Sequence, residues 1–129
     1  MPRFAANLTL MFNEVDFLDR FAAAKTNGFG AVEFLFPYAF AAEQLKEKLD
    51  ENGLELALFN MPPGDWESGD KGMSAIPGRE QEFQDTVGVA LDYARTFGNK
   101  TVHMMAGILP GDVSVEQAFE TYVANYQFC

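Results

Sequence analysis

The side chains equipped for chemistry are few in this chain, and most stand where an apolar run meets a loop. His103, the only histidine, lies in the run Thr101-Val102-His103-Met104-Met105. An imidazole there either faces a ligand, with which it exchanges or shares a proton near neutral pH, or sits in a core with a satisfied partner. Glu33 interrupts the apolar run Ala31-Val32-Glu33-Phe34-Leu35-Phe36. A carboxylate buried there without a partner is costly, so it pairs with a neighbouring strand or helix or else lines a pocket. Asn7 and Asn60 fall in or at the ends of two further runs, where an amide orients a polar ligand or ties strands together. Arg79 opens a helical stretch; its guanidinium suits bidentate recognition of a small carboxylate, or an ion pair that holds the preceding loop. Trp66 and Phe36 either screen a pocket from water or simply pack, and Asp65, after Gly64, reads as a turn residue.

These residues need a scaffold, and the hydrophobic pattern supplies one. Short apolar runs at 4–8, 31–36, 56–59 and 101–105 read as strands. Between them lie helical patterns: about 14 residues from an Asn13 cap towards Gly28, then about 42–52, then about 78–97 with Phe83, Val87, Leu91 and Ala94 on the inner stripe. Ser114-Val115-Glu116-Gln117 is a capping box, and Val115, Phe119, Tyr122, Val123 and Tyr126 share one face of the helix that follows. Gly28, Gly53 and Gly98 each close a helix three residues before the next strand. Strands that read as continuous apolar runs and alternate with helices belong in a parallel sheet covered by helices. The result is four βα units, half the complement of a closed (βα)8 barrel.

In such folds ligands bind at the carboxyl ends of the strands, here at 7–12, 34–38, 60–79 and 103–107. The third of these is a long aperiodic connection rich in Pro, Gly, Asp and Ser, yet it carries Met61, Trp66, Met73 and Ile76. Loops of this length tend to be functional, and the apolar residues predict one that is ordered over a site.

With 129 residues, 48% of them hydrophobic and 13 of them Phe, the chain reads as one domain, 1–129, with a real core. A net charge of −10 argues against nucleic acid or an anionic membrane as partner. A single Cys and a single His exclude a disulfide framework and a Cys/His zinc cluster. Lacking a signal peptide's apolar core and a run of about 20 apolar residues, the sequence is expected to be cytoplasmic. No G-x-G-x-x-G or P-loop follows a strand, so nucleotide binding is not indicated.

At Phe4-Ala5-Ala6-Asn7-Leu8, Ala31-Val32-Glu33-Phe34-Leu35-Phe36-Pro37-Tyr38, Pro63-Gly64-Asp65-Trp66 and Ile76-Pro77-Gly78-Arg79-Glu80, the sequence resembles the amino-terminal half of the hydroxypyruvate isomerase family. That family belongs to the xylose-isomerase-like barrels. The resemblance implies a partial TIM barrel and interconversion of hydroxypyruvate with tartronate semialdehyde through an enediolate, with 2-oxo-tetronates as the substrates of closely similar members. It also implies a divalent metal, Mg or Mn, in the complete barrel, and two catalytic glutamates on strands five to eight. None of those positions falls within 129 residues, so this half is expected to bind no metal, to hold no catalytic residue and to be inactive alone. Its expected share is the pocket wall for a small 2-oxo or hydroxy acid: Asn7, Glu33, Phe36, Asn60, Trp66, Arg79 and His103. The chain is expected to break off inside its fourth helix. A reading of another class is a non-catalytic half-barrel that binds small ligands, or that assembles with a partner through its open strand edges.

Overall fold

The computed structural model describes residues 2–129. Four strands, β1 (Ala5–Asn7), β2 (Ala31–Phe34), β3 (Glu55–Asn60) and β4 (Val102–His103), form one sheet in the order β1-β2-β3-β4. Helices α1 (Arg20–Thr26), α2 (Ala42–Asn52), α3 (Glu80–Phe97) and α4 (Val115–Phe128) alternate with them. β1 pairs with β2 and β2 with β3 in parallel, with a bulge after Val32 so that Glu33 faces Leu58. This is the expected α/β half-barrel of four βα units. The chain forms two compact units, one containing the residues up to Phe59 together with Tyr93–Val102, the other Asn60–Asp92 with His103–Cys129.

The first unit is built around aromatic side chains. Ala6, Val32, Phe34 and Phe59 project from the strands onto Phe21, Ala24, Leu45, Leu49, Ala94 and Phe97. Phe17, Phe21, Phe34, Phe59 and Phe97 meet edge-on or tilted at centroid separations of 5.5–6.1 Å, the geometry that ring quadrupoles favour. Because side chains alternate along a strand, Asn7 and Glu33 point away from this core, and neither is fully covered. Gly53 ends α2 in the left-handed conformation at φ 58°, where a side chain would be strained.

In the second unit the buried apolar residues are Met61, Met73, Ile76, Phe83, Val87, Ala90 and Ala118. The Ser114 capping box forms as the sequence predicts, with Gln117 N–H bound to the Ser114 hydroxyl and the Gln117 side chain returning to Ser114 N–H.

Three local expectations change. The first helix does not start at Asn13: that amide donates to Leu10 O, and a 3-10 turn at Phe17–Asp19 leads into a seven-residue α1. Local side-chain bonding by Asn competes with helix initiation. Along α3, Phe83, Val87 and Ala94 are buried as predicted, but Ala90 takes the place of Leu91, which is 40% exposed. On α4 the buried residues are Ala118 and Asn125, whereas Val115, Phe119 and Tyr126 are 66–70% exposed.

Candidate functional site

β1 ends at Asn7, whose side chain is fixed at both atoms. Its Oδ1 accepts Thr9 N–H at 3.0 Å, which leaves Nδ2 to donate to Glu33 Oε1 at 2.9 Å. A backbone N–H can only donate, so the amide cannot be turned the other way. The Thr9 hydroxyl accepts Leu35 N–H at 2.9 Å and ties the loop after β1 to the end of β2. Glu33 thus has the partner its position demanded, a neutral amide from the adjacent strand rather than a cation. Its second carboxylate oxygen takes no ion pair from the described residues and remains an acceptor on the face opposite the core. Phe36 is half-buried two residues beyond β2.

In the second unit, β3 ends at Asn60 and β4 at His103. Met61 N–H donates to His103 O at 2.9 Å, continuing the ladder past the end of β3. Asn60 is 4% exposed; its Oδ1 lies 3.2 Å from His103 Nδ1, and its Nδ2 donates to Met105 Sδ at 3.4 Å. The imidazole itself is exposed. Sequence reasoning named both residues but gave no sign that they pair.

The connection 61–79 is ordered by two sets of contacts. Arg79 binds Asp70 through Nη1 and Nη2 at 2.9 and 2.8 Å, and Glu82 through Nε and Nη2 at 2.7 and 2.6 Å. Asp70 in turn accepts Asp65 N–H at 2.8 Å. Arg79 lowers the pKa of both carboxylates, and Glu82 and Asp70 together raise that of the guanidinium. Arg79 therefore holds the loop in this structure, with its fork already spent on two carboxylates. Asp65 is a turn residue as expected: its carboxylate accepts Ser68 N–H and Ser68 O–H, which lowers its pKa. Trp66 stands 36% exposed at the tip, with Lys71 Nζ 3.4 Å from its ring centroid.

The second set lies further along the loop. Gly72 and Ala106 form an antiparallel bridge, the Ser74 hydroxyl donates to Met105 O at 2.8 Å, and Asn125 Nδ2 donates to Ser74 O at 2.9 Å. Ser74 and Asn125 were not singled out from sequence. Both are fully buried, and a polar residue in an otherwise apolar helical pattern was the only signal for Asn125.

At the opposite, amino-terminal end of β1 and β2, Arg3, Phe4 and residues 27–31 line a depression of about 300 Å³. That end of a barrel serves stability rather than chemistry. Among the described residues no group of three or more His, Cys, Asp or Glu could hold a metal ion. The described side chains supply no set of ligands that fits the divalent metal of the resemblance.

A family model described as xylose isomerase-like TIM barrel matches residues 21–129. The chain belongs to that family. The 2-oxo-tetronate isomerase of Cupriavidus necator is 56% identical to this xylose isomerase-like chain over 128 residues, 99% of this chain and 49% of the relative. The hydroxypyruvate isomerase of Escherichia coli is 48% identical, again over 99% of this chain and 50% of the relative. A crystal structure described as AP endonuclease, family 2, from Brucella melitensis superposes with a TM-score of 0.96 at 52% identity, over 99% of this chain and 49% of that one. The chain spans about half the length of the curated relatives it matches.

Proposed function

We propose that this chain forms the ligand-binding wall of an isomerase that interconverts hydroxypyruvate and tartronate semialdehyde, an aldose-ketose type shift on a small 2-oxo acid. The observation that carries this reading is 48–56% identity, over 99% of the chain, to relatives named as isomerases of hydroxypyruvate and 2-oxo-tetronate. The site chemistry is compatible. Asn7, Glu33, Asn60 and His103 stand at or next to the carboxyl ends of their strands and offer hydrogen-bonding groups suited to hydroxyl and carbonyl oxygens. Phe36 beyond β2 and, in the second unit, the ordered loop that carries Trp66 beyond β3 add apolar surface at the ends of their own strands. Arg79 contributes indirectly by keeping that loop in place.

The proton shift between adjacent carbons needs a positioned carboxylate or other base and a stabilised oxyanion. We assign that work to residues outside these 129, which makes the chain inactive by itself. We further propose a cytoplasmic location and self-association of the isolated chain through β1 and β4, the outer strands of the sheet. Among the described residues no helix is long and apolar enough to cross a membrane.

Identity of 56% and 49% to two 2-oxo-tetronate isomerases, against 48% for the hydroxypyruvate isomerase, favours the four-carbon acid as a second reading of the substrate. Acting on DNA is disfavoured, because a net charge of −10 repels a phosphate backbone. The test is a hybrid in which this chain replaces the segment it aligns with in the Cupriavidus relative, assayed with each substrate. Turnover of either acid supports the reading, and the ratio of the two kcat/KM values assigns the substrate. A folded hybrid inert towards both would overturn it.

A further inference from the structure

We propose that Asn60 is a positioning residue that holds the His103 imidazole with its proton on Nδ1, so that Nε2 is presented as a hydrogen-bond acceptor for a ligand hydroxyl. The orientation of the buried amide decides this. Its Nδ2 faces Met105 Sδ at 3.4 Å, and a thioether has no hydrogen to give, so the NH₂ end belongs on that side. Oδ1 is therefore the atom 3.2 Å from His103 Nδ1. An amide oxygen only accepts, so the ring nitrogen facing it carries the proton. In a neutral imidazole the other nitrogen, Nε2, then has the free lone pair.

The surroundings hold both partners in place. Asn60 is 4% exposed at the last position of β3, and the Met61 N–H to His103 O bond of 2.9 Å fixes the backbone of β4 beside it. His103 itself is exposed, so the lone pair is available to a ligand. A protein that merely satisfied a buried amide would not need an exposed imidazole to do so. The chemical class of the ligand, a hydroxyl of a small 2-oxo or hydroxy acid, rests on the proposed function; the tautomer does not.

Because the chain has a single histidine, ¹⁵N-histidine labelling gives one imidazole spectrum with no assignment to make. At a pH where the ring is neutral, long-range proton–nitrogen correlations are expected to show the Nδ1–H pattern, the minority form of free histidine. Asn60→Ala should shift the pattern to mostly Nε2–H, and Asn60→Asp, which keeps an acceptor oxygen, should restore Nδ1–H. An Nε2–H pattern in the wild-type chain overturns the proposal without recourse to any variant, as does an unchanged pattern in a folded Asn60→Ala chain. Loss of isomerase activity in the hybrid would count against the proposed function while leaving the tautomer result standing, so the two failures are distinguishable.

Discussion

At the level of single residues, Asn7 and Glu33 are joined by a hydrogen bond from a neutral amide rather than by an ion pair. Asn7 is held by Thr9 N–H and in turn holds one oxygen of Glu33, leaving the other open. Arg79 departs from this pattern, since its guanidinium is fully engaged by Asp70 and Glu82. Both members of the Arg79–Asp70 pair are about a quarter exposed, so solvent weakens the pair without abolishing it. Arg79→Met should cost about 1–2 kcal/mol of unfolding free energy in urea titration. Asp70 and Glu82 have pKa values depressed below their ordinary 3.8 and 4.5, chiefly by Arg79. Depressed carboxylates contribute stability that is complete above the ordinary values and is lost as pH falls through the lowered ones. The wild-type chain should therefore lose stability below about pH 4.5 more steeply than Arg79→Met. Parallel acid limbs for the two proteins would count against the clamp.

At the level of elements, the connection between β3 and α3 depends on close backbone approach. A Cβ on Gly72 would collide with the backbone carbonyl of Met105, and the residue also sits at φ 107°. Gly69 has a similar φ of 104° but open space around it. Gly72→Ala should cost about 3 kcal/mol and Gly69→Ala about 1 kcal/mol, the difference reporting the close approach. Equal unfolding midpoints would show that the Gly72–Ala106 bridge does not brace the loop. That bracing was only half legible in the sequence. The apolar residues within the loop announced order, and the Ser114 box fixed the start of α4 because capping is local chemistry. What Ser74 and Asn125 bind could not be read, because their partners lie 31 and 51 residues away. The start of α1 was misplaced because Asn13 has two local bonding options, and propensity does not choose between them. Asn7 and Glu33 were each legible as a polar residue in an apolar run that needs a partner, but not as partners of one another, and that pairing, like Asn60–His103, depends on strand register.

At the level of the whole chain, strong net charge and an exposed apolar helix face act in opposite directions. The charge of −10 keeps copies apart, while Val115, Phe119, Tyr126 and Phe128 on α4 are each more than half exposed. Exposed apolar surface of this kind favours association. Salt screens the repulsion within about 10 Å at 0.1 M, so light scattering of the 129-residue chain should rise with ionic strength. Phe119→Glu combined with Tyr126→Glu should reduce the rise by the share that α4 adds to the strand edges; a rise unchanged in the double variant would assign the association to the β1 and β4 edges alone. The proposed function is a division of labour, in which this chain binds and orients the acid while residues outside these 129 move the proton. The kinetics of Glu33→Gln in the hybrid enzyme test it most directly. KM should rise about tenfold with kcat nearly unchanged, the mark of lost binding shared by ground and transition states. A fall in kcat of about a hundredfold or more at constant KM would make Glu33 an acid-base group and overturn this division of labour.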